Sequence, residues 1–249
     1  MKILIALLIS FIAGMSTVLG GFFIYLKPKN KDNFIGGALA FSGTIMMLIS
    51  IVELIPEGFI YLDYTYGLIF AFTSLVLSFI LGNFISSKLS KNLEKLKTKE
   101  GSLYKVGILS MIVLMIHNLP EGIITFISSV IDIKLGIKLG ISIMMHNIPE
   151  GIAIAVPLYY ATRSKKKAFK ATFISGLSEP LGAILAWIFL SKLLNNTVIS
   201  LILLFASSLM INIAVNDILL ESNNYSRKGV LTGIILAIIL FSINFIIFI

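Results

Sequence analysis

The sequence predicts an all-α integral membrane protein of eight transmembrane helices, with an inverted repeat (spans 1–3 against spans 6–8) around a central pair, spans 4 and 5. Three observations predict it. Of 249 residues, 57% are hydrophobic and only 13% charged, too few charges to cover a soluble domain of this size. The apolar residues gather into runs of the roughly 20 residues that a bilayer-spanning helix needs. Two heptapeptides, HNLPEGI at 117–123 and HNIPEGI at 146–152, repeat in the middle of consecutive runs.

The runs cover 3–26, 34–60, 67–87, 103–130, 134–160, 168–191, 196–220 and 229–249, so residues 1–249 form a single transmembrane domain. The first is read as a retained helix. Its basic leader is one Lys2, and its apolar stretch is about twice the length of a signal-peptide core. The second ends on a PEG tripeptide at 56–58 and holds Met46 and Glu53. The third and eighth are almost wholly apolar. The fourth and fifth carry the paired heptapeptides, and the sixth places Glu179 before Pro180 in SGLSEPLG. The seventh repeats the second: Met210 precedes Asp217 by the seven residues that separate Met46 from Glu53. Spans two and seven run in opposite directions, as inverted repeats of many secondary transporters do.

The net charge of +8 is distributed by topology. Sixteen of the twenty Lys and Arg residues lie in the connectors at 27–33, 88–105, 161–170 and 221–228. By the positive-inside rule those connectors face the cytoplasm and both termini lie outside, in a multi-pass protein of the cell membrane. Basic connectors spread in this way suit anionic lipid headgroups rather than nucleic acid. The absence of cysteine excludes disulfides and thiolate ligands.

Ionisable groups inside hydrocarbon cost a few kcal/mol each, which makes them functional candidates. Both histidines of the chain, His117 and His146, lie mid-span, each four residues before a glutamate, Glu121 and Glu150. Positions i and i+4 share a helix face, so each motif projects an imidazole and a carboxylate together. That donor set suits zinc or iron(II) and is too nitrogen-rich for calcium or magnesium. Pro120 and Pro149 free the carbonyls of Ile116 and Met145. Gly122 and Gly151 keep the backbone open to a neighbouring helix. Asn118 and Asn147 add neutral oxygens. A tight turn between the antiparallel spans sets His117 level with Glu150 and Glu121 level with His146, a site for one or two metal ions. Glu179 repeats the acid-before-proline device. Glu53 and Asp217 are read as relay acids on opposite sides of this centre, and Met46 as apolar packing or a soft thioether ligand. Glu57 and Glu221 are read as solvated span ends, and Ser50, Ser110 and Ser142 as bonding to backbone carbonyls.

HNLPEG and HNIPEG in the fourth and fifth of eight spans, with SGLSEPLGA in the sixth, resemble the ZIP (Zrt/Irt-like) metal transporters, most closely their bacterial zinc- and iron-uptake branch. The resemblance covers essentially the whole chain. It implies an eight-helix fold with outward termini, elevator-like movement of one helix bundle against another, and a homodimer. It implies inner metal sites at His117, Asn118, Glu121, Asn147, Glu150 and Glu179, with Met46 at a thioether position and Glu53 and Asp217 along the pathway. The chain departs from the family's pattern in the connector 88–105, which is rich in lysine and has no histidine.

The expected function is therefore transport of divalent transition-metal cations (zinc, iron(II), manganese, cadmium) into the cytoplasm, the ion being substrate rather than cofactor. The chain is not expected to be an enzyme. An intramembrane metalloprotease would need HExxH, and the residue after each histidine here is asparagine. A proton-coupled carrier of another small solute is the alternative.

Overall fold

A computed structural model describes residues 2–93, 99–189 and 196–248. Within the basic connectors, residues 94–98 lie outside the described set, as does Lys192. Eight helices are long and apolar enough to cross a membrane: α1 (Lys2–Tyr25), α2 (Lys31–Tyr66), α3 (Leu68–Asn92), α4 (Glu100–Ile131), α5 (Ile133–Thr162), α6 (Lys165–Phe189), α7 (Asn196–Ser222) and α8 (Arg227–Ile247). They match the eight apolar runs one for one.

The junctions follow local chemistry. Gly67 joins α2 to α3 at φ 87°, a backbone region that glycine enters without a Cβ penalty. Asp132 alone separates α4 from α5, its carboxylate accepting from the Lys134 amide at 2.8 Å to cap α5. Asn30 and Ser164 cap α2 and α6 in the same way, accepting from the Asn33 amide at 3.0 Å and the Lys167 amide at 3.3 Å. The one-residue α4–α5 turn keeps those helices antiparallel and fixes which residues share a depth.

Helices α2, α7 and α6 carry irregularities within their length. Helix α2 widens into a π turn at Ser50–Leu54 and α7 into one at Ala214–Leu219. Each π turn contains the acid of the Met-x6-acid repeat, Glu53 or Asp217, so the weak sequence repeat coincides with a matched backbone irregularity. Helix α6 breaks at Leu177 into Lys165–Gly176 and Ser178–Phe189, and Glu179 falls in the first turn of the second half.

The helices pack as two bundles. Helices α1, α4, α5 and α6 interlock closely, and α2 packs along α8 while α7 packs along α3. The α2–α8 and α7–α3 pairings are equivalent under the inverted repeat. Helices α2 and α7 meet between the bundles and touch α5 and α4 respectively. Helices α3 and α8 bury the least of their surface, in keeping with a position against lipid.

Candidate metal centre

Proline and glycine shape the centre. Pro120 and Pro149 interrupt the backbone ladders of α4 and α5 within continuous helix. The glycines that follow let another backbone come close. A Cβ on Gly122 would lie 1.8 Å from the Glu179 carbonyl oxygen, and one on Gly151 1.9 Å from that of Thr17. Only glycine allows α6 to close on α4, and α1 on α5, at the depth of the two motifs.

The motif side chains converge. His117, Glu121 and His146 present ligand atoms all within 4.8 Å of one another, and all three residues are buried. Glu121 Oε1 lies 3.1 Å from His117 Nε2 and 2.8 Å from His146 Nε2. Glu150 Oε1 completes the group, 3.7 Å from His117 Nε2. The pairings His117–Glu150 and Glu121–His146 are those that the tight α4–α5 turn dictates.

A second layer adjoins the first. The Asn118 amide, oriented to satisfy its neighbours, donates to Glu150 Oε2 at 3.2 Å and to the Leu114 carbonyl at 2.7 Å. Asn147 Nδ2 donates to Glu179 Oε2 at 2.8 Å and to the Ala13 carbonyl at 3.0 Å. Glu150 thus turns one oxygen to the histidine layer and the other to the asparagine layer. Many donor atoms are left over. Among the described residues Nδ1 of His117 and His146, Oε2 of Glu121, Oε1 of Glu150 and Glu179, and Oδ1 of Asn147 are buried without a hydrogen-bond partner. Buried polar groups are normally satisfied, so a concentration of free lone pairs at one depth is an arrangement that could hold a cation. Among the described residues nothing holds either Nδ1, so both tautomers of each imidazole are open.

A cavity of about 450 Å³ reaches this centre from the side of the α4–α5 turn. Glu121 and His146 form its floor, Glu53 and Glu57 one wall, and Lys138 and Leu135 its mouth. Glu53 is therefore continuous with the centre. Met46 and Asp217 are not: Met46 is packed in the apolar core, and Asp217 lies toward the opposite side. There Lys105 Nζ sits 3.0 Å from Asp217 Oδ1, and Ser90 Oγ donates to the same oxygen at 3.2 Å.

Some expectations need correction. Glu221 is buried rather than solvated, accepting from Ser102 Oγ and, at 3.0 Å, from Asn224 Nδ2. The first turn of α4 folds over the end of α7 and excludes water from it, a contact between segments more than a hundred residues apart. Ser50 does donate to the Met46 carbonyl, at 2.7 Å. Ser142 instead donates to Asn244 Oδ1 at 3.3 Å, because α8 brings an amide within reach. Ser110 Oγ has no partner among the described residues, and nothing in the structure explains it. Lys105 stands within the apolar run of span four, spaced from the other connector lysines, and that spacing is the signal that sets it apart.

A family model described as ZIP zinc transporter matches residues 87–243. A zinc transporter ZupT of Streptococcus mutans is 34% identical, across 98% of this chain and 97% of that protein. Zinc transporter ZupT of Oceanobacillus iheyensis is 36% identical, across 94% and 96% of the two chains. Zinc transporter ZupT of Clostridium perfringens is 30% identical, across 100% and 97%.

Proposed function

The chain belongs to the ZIP zinc transporter family, and from that premise we propose that it carries zinc across the cell membrane into the cytoplasm through the His117–Glu121–His146–Glu150 centre. Divalent metal transport is the activity of the family. The observation that carries the assignment to these residues is the cluster of unsatisfied donors on α4 and α5 at the floor of a cavity open to one side.

The route divides by bundle. Every side chain of the centre stands on α4, α5 or α6, whereas Glu53 and Asp217 stand on α2 and α7. A zinc ion entering past Glu57 and Glu53 exchanges its water for Glu121, His146, His117 and Glu150, in tetrahedral reach of nitrogen and oxygen donors. With Glu150 shared between the two layers, a second ion is held by Asn118, Asn147 and Glu179. Movement of α1, α4, α5 and α6 as one body against the other bundle then carries the centre from the Glu53 side to the Asp217 side. On that side the Lys105–Asp217 pair and the apolar core close the path in the state described. Iron(II), manganese and cadmium are accepted by the same donors in the order that geometry and availability allow. The functional unit is a homodimer, the little-buried helix α3 being available for the contact. Both termini lie outside the cytoplasm.

Proteoliposomes containing the purified chain, offered zinc, iron(II), manganese and cadmium in turn, test the reading. Zinc should accumulate above empty vesicles and fall to background in Glu121→Ala at equal protein incorporation. Uptake no greater than in empty vesicles would overturn it.

A further inference from the structure

An open groove of about 780 Å³ runs along α2 and α8, away from the metal centre. Its floor is the line where these helices cross at glycine. A Cβ on Gly229 would lie 2.2 Å from the Asn33 carbonyl oxygen, and one on Gly233 2.2 Å from that of Gly37. The backbones therefore touch, and the larger side chains Phe34, Phe41, Leu236 and Leu240 stand up as walls. Phe23 of α1 and Ile152 of α5 close the far side, so the groove runs along the boundary between the two bundles.

Its polarity changes along its length. One end is lined by Lys29, Asn30, Asn33 and Lys228, and the other ends at Ile239 and Ile243 with nothing polar. From Lys228 to Ile243 helix α8 advances about 22 Å at 1.5 Å per residue. That equals half of a bilayer about 40–45 Å thick with its headgroups. The groove therefore spans one leaflet, from headgroup level to midplane. Both lysines are exposed, and among the described residues neither has an acidic partner within ion-pair distance. The first turns of α2 and α8 open on the same mouth, Asn30 capping that of α2. Asp32, next along α2, is not part of the lining.

We propose that this groove is a binding site for one anionic phospholipid, its phosphate between Lys29 and Lys228 and one acyl chain laid along the α2–α8 crossing against Phe23 and Ile152. A zwitterionic lipid fits the apolar channel equally well but brings its own cation to a mouth that already holds two. A soluble phosphate fits the mouth and leaves the channel bare. Because the occupant touches both bundles, it couples leaflet composition to their relative position.

Native mass spectrometry of the purified chain in detergent, with equimolar phosphatidylglycerol and phosphatidylcholine, tests the site. The parent should retain phosphatidylglycerol in preference. Each lysine near a charged surface is worth roughly a fivefold preference, so Lys29→Gln with Lys228→Gln should lower the ratio by more than tenfold. The pair Lys134→Gln with Lys138→Gln, at the other face, should leave it unchanged. Ile239→Trp, which fills the channel and alters no charge, should reduce bound lipid of both kinds. The proposal fails if the ratio is the same in the parent and the Lys29/Lys228 variant. It also fails if the Lys134/Lys138 variant lowers the ratio as far, if Ile239→Trp retains lipid fully, or if excess glycerol phosphate displaces the lipid.

Discussion

Glu121 is the residue on which the centre turns, because one of its oxygens lies within 3.1 Å of both histidines while the other has no partner. Glu121→Gln keeps the shape and one acceptor but removes the charge that balances a divalent ion. Zinc affinity, measured by titration of the purified protein, should fall by at least roughly 10–100-fold, with membrane abundance unchanged. Imidazole and carboxylate bind metal only when deprotonated, so zinc and protons compete for His117, His146, Glu121 and Glu150. Acid therefore weakens binding, by up to about tenfold per pH unit for each proton displaced. Zinc affinity that stays flat from neutral to acid pH would remove these groups from the site. At this scale the sequence was highly informative. Two histidines in 249 residues, each with glutamate at i+4, left few other residues for a nitrogen-bearing metal site. What it could not show is that Glu150 and Glu179 engage Asn118 and Asn147, since amide orientation depends on which helix packs behind.

The matched π turns of α2 and α7 give the second set of expectations. Each sets an acid at a point where the backbone ladder widens. Glu53 lines the open cavity, so Glu53→Gln should raise the apparent KM of zinc uptake more than it lowers the maximal rate. Asp217 lies beyond the centre, paired with Lys105, so Asp217→Asn should lower the maximal rate more than it raises KM. Uptake measured over a range of zinc concentrations at matched expression separates the two, and parent-like behaviour of both variants would reduce the repeat to architecture. The glycine contacts make a separate prediction. Gly122→Ala places a methyl group within 1.8 Å of the Glu179 carbonyl, so α4 and α6 must part. A cost of about 1–3 kcal/mol is expected, read as a lower melting temperature together with weaker zinc binding. The sequence located these irregularities only as prolines, glycines and a sparse Met-x6-acid match. A π turn inserts one residue per turn without a residue signature of its own, so its position was decided by packing against the other bundle.

Across the whole molecule, the distribution of basic residues makes an orientation testable with a chain that has no native cysteine. Cysteine at Lys134, in the first turn of α5, should react with an impermeant reagent added to intact cells, and cysteine at Lys166 should react only after the membrane is opened. The reverse pattern would invert the topology and with it the direction in which the Glu53 cavity faces. The sequence by itself determined the number of spans, their boundaries to within a few residues and the depth register of α4 against α5. These follow from the bilayer, which requires long apolar helices, and from a turn too short to allow another register. It also singled out the candidate ligands, because polar groups in hydrocarbon are too costly to be incidental. Only the tertiary structure decided that Lys105 reaches Asp217, that Glu221 is covered, and that the α2–α8 crossing leaves a groove. Each depends on contacts between segments far apart in the chain. In a membrane every helix has lipid as an alternative partner of equal apolarity, so hydrophobic pattern alone does not specify which helix packs on which. Close backbone approach at glycine and pairing of buried charge make that choice, and both exist only once the helices have met.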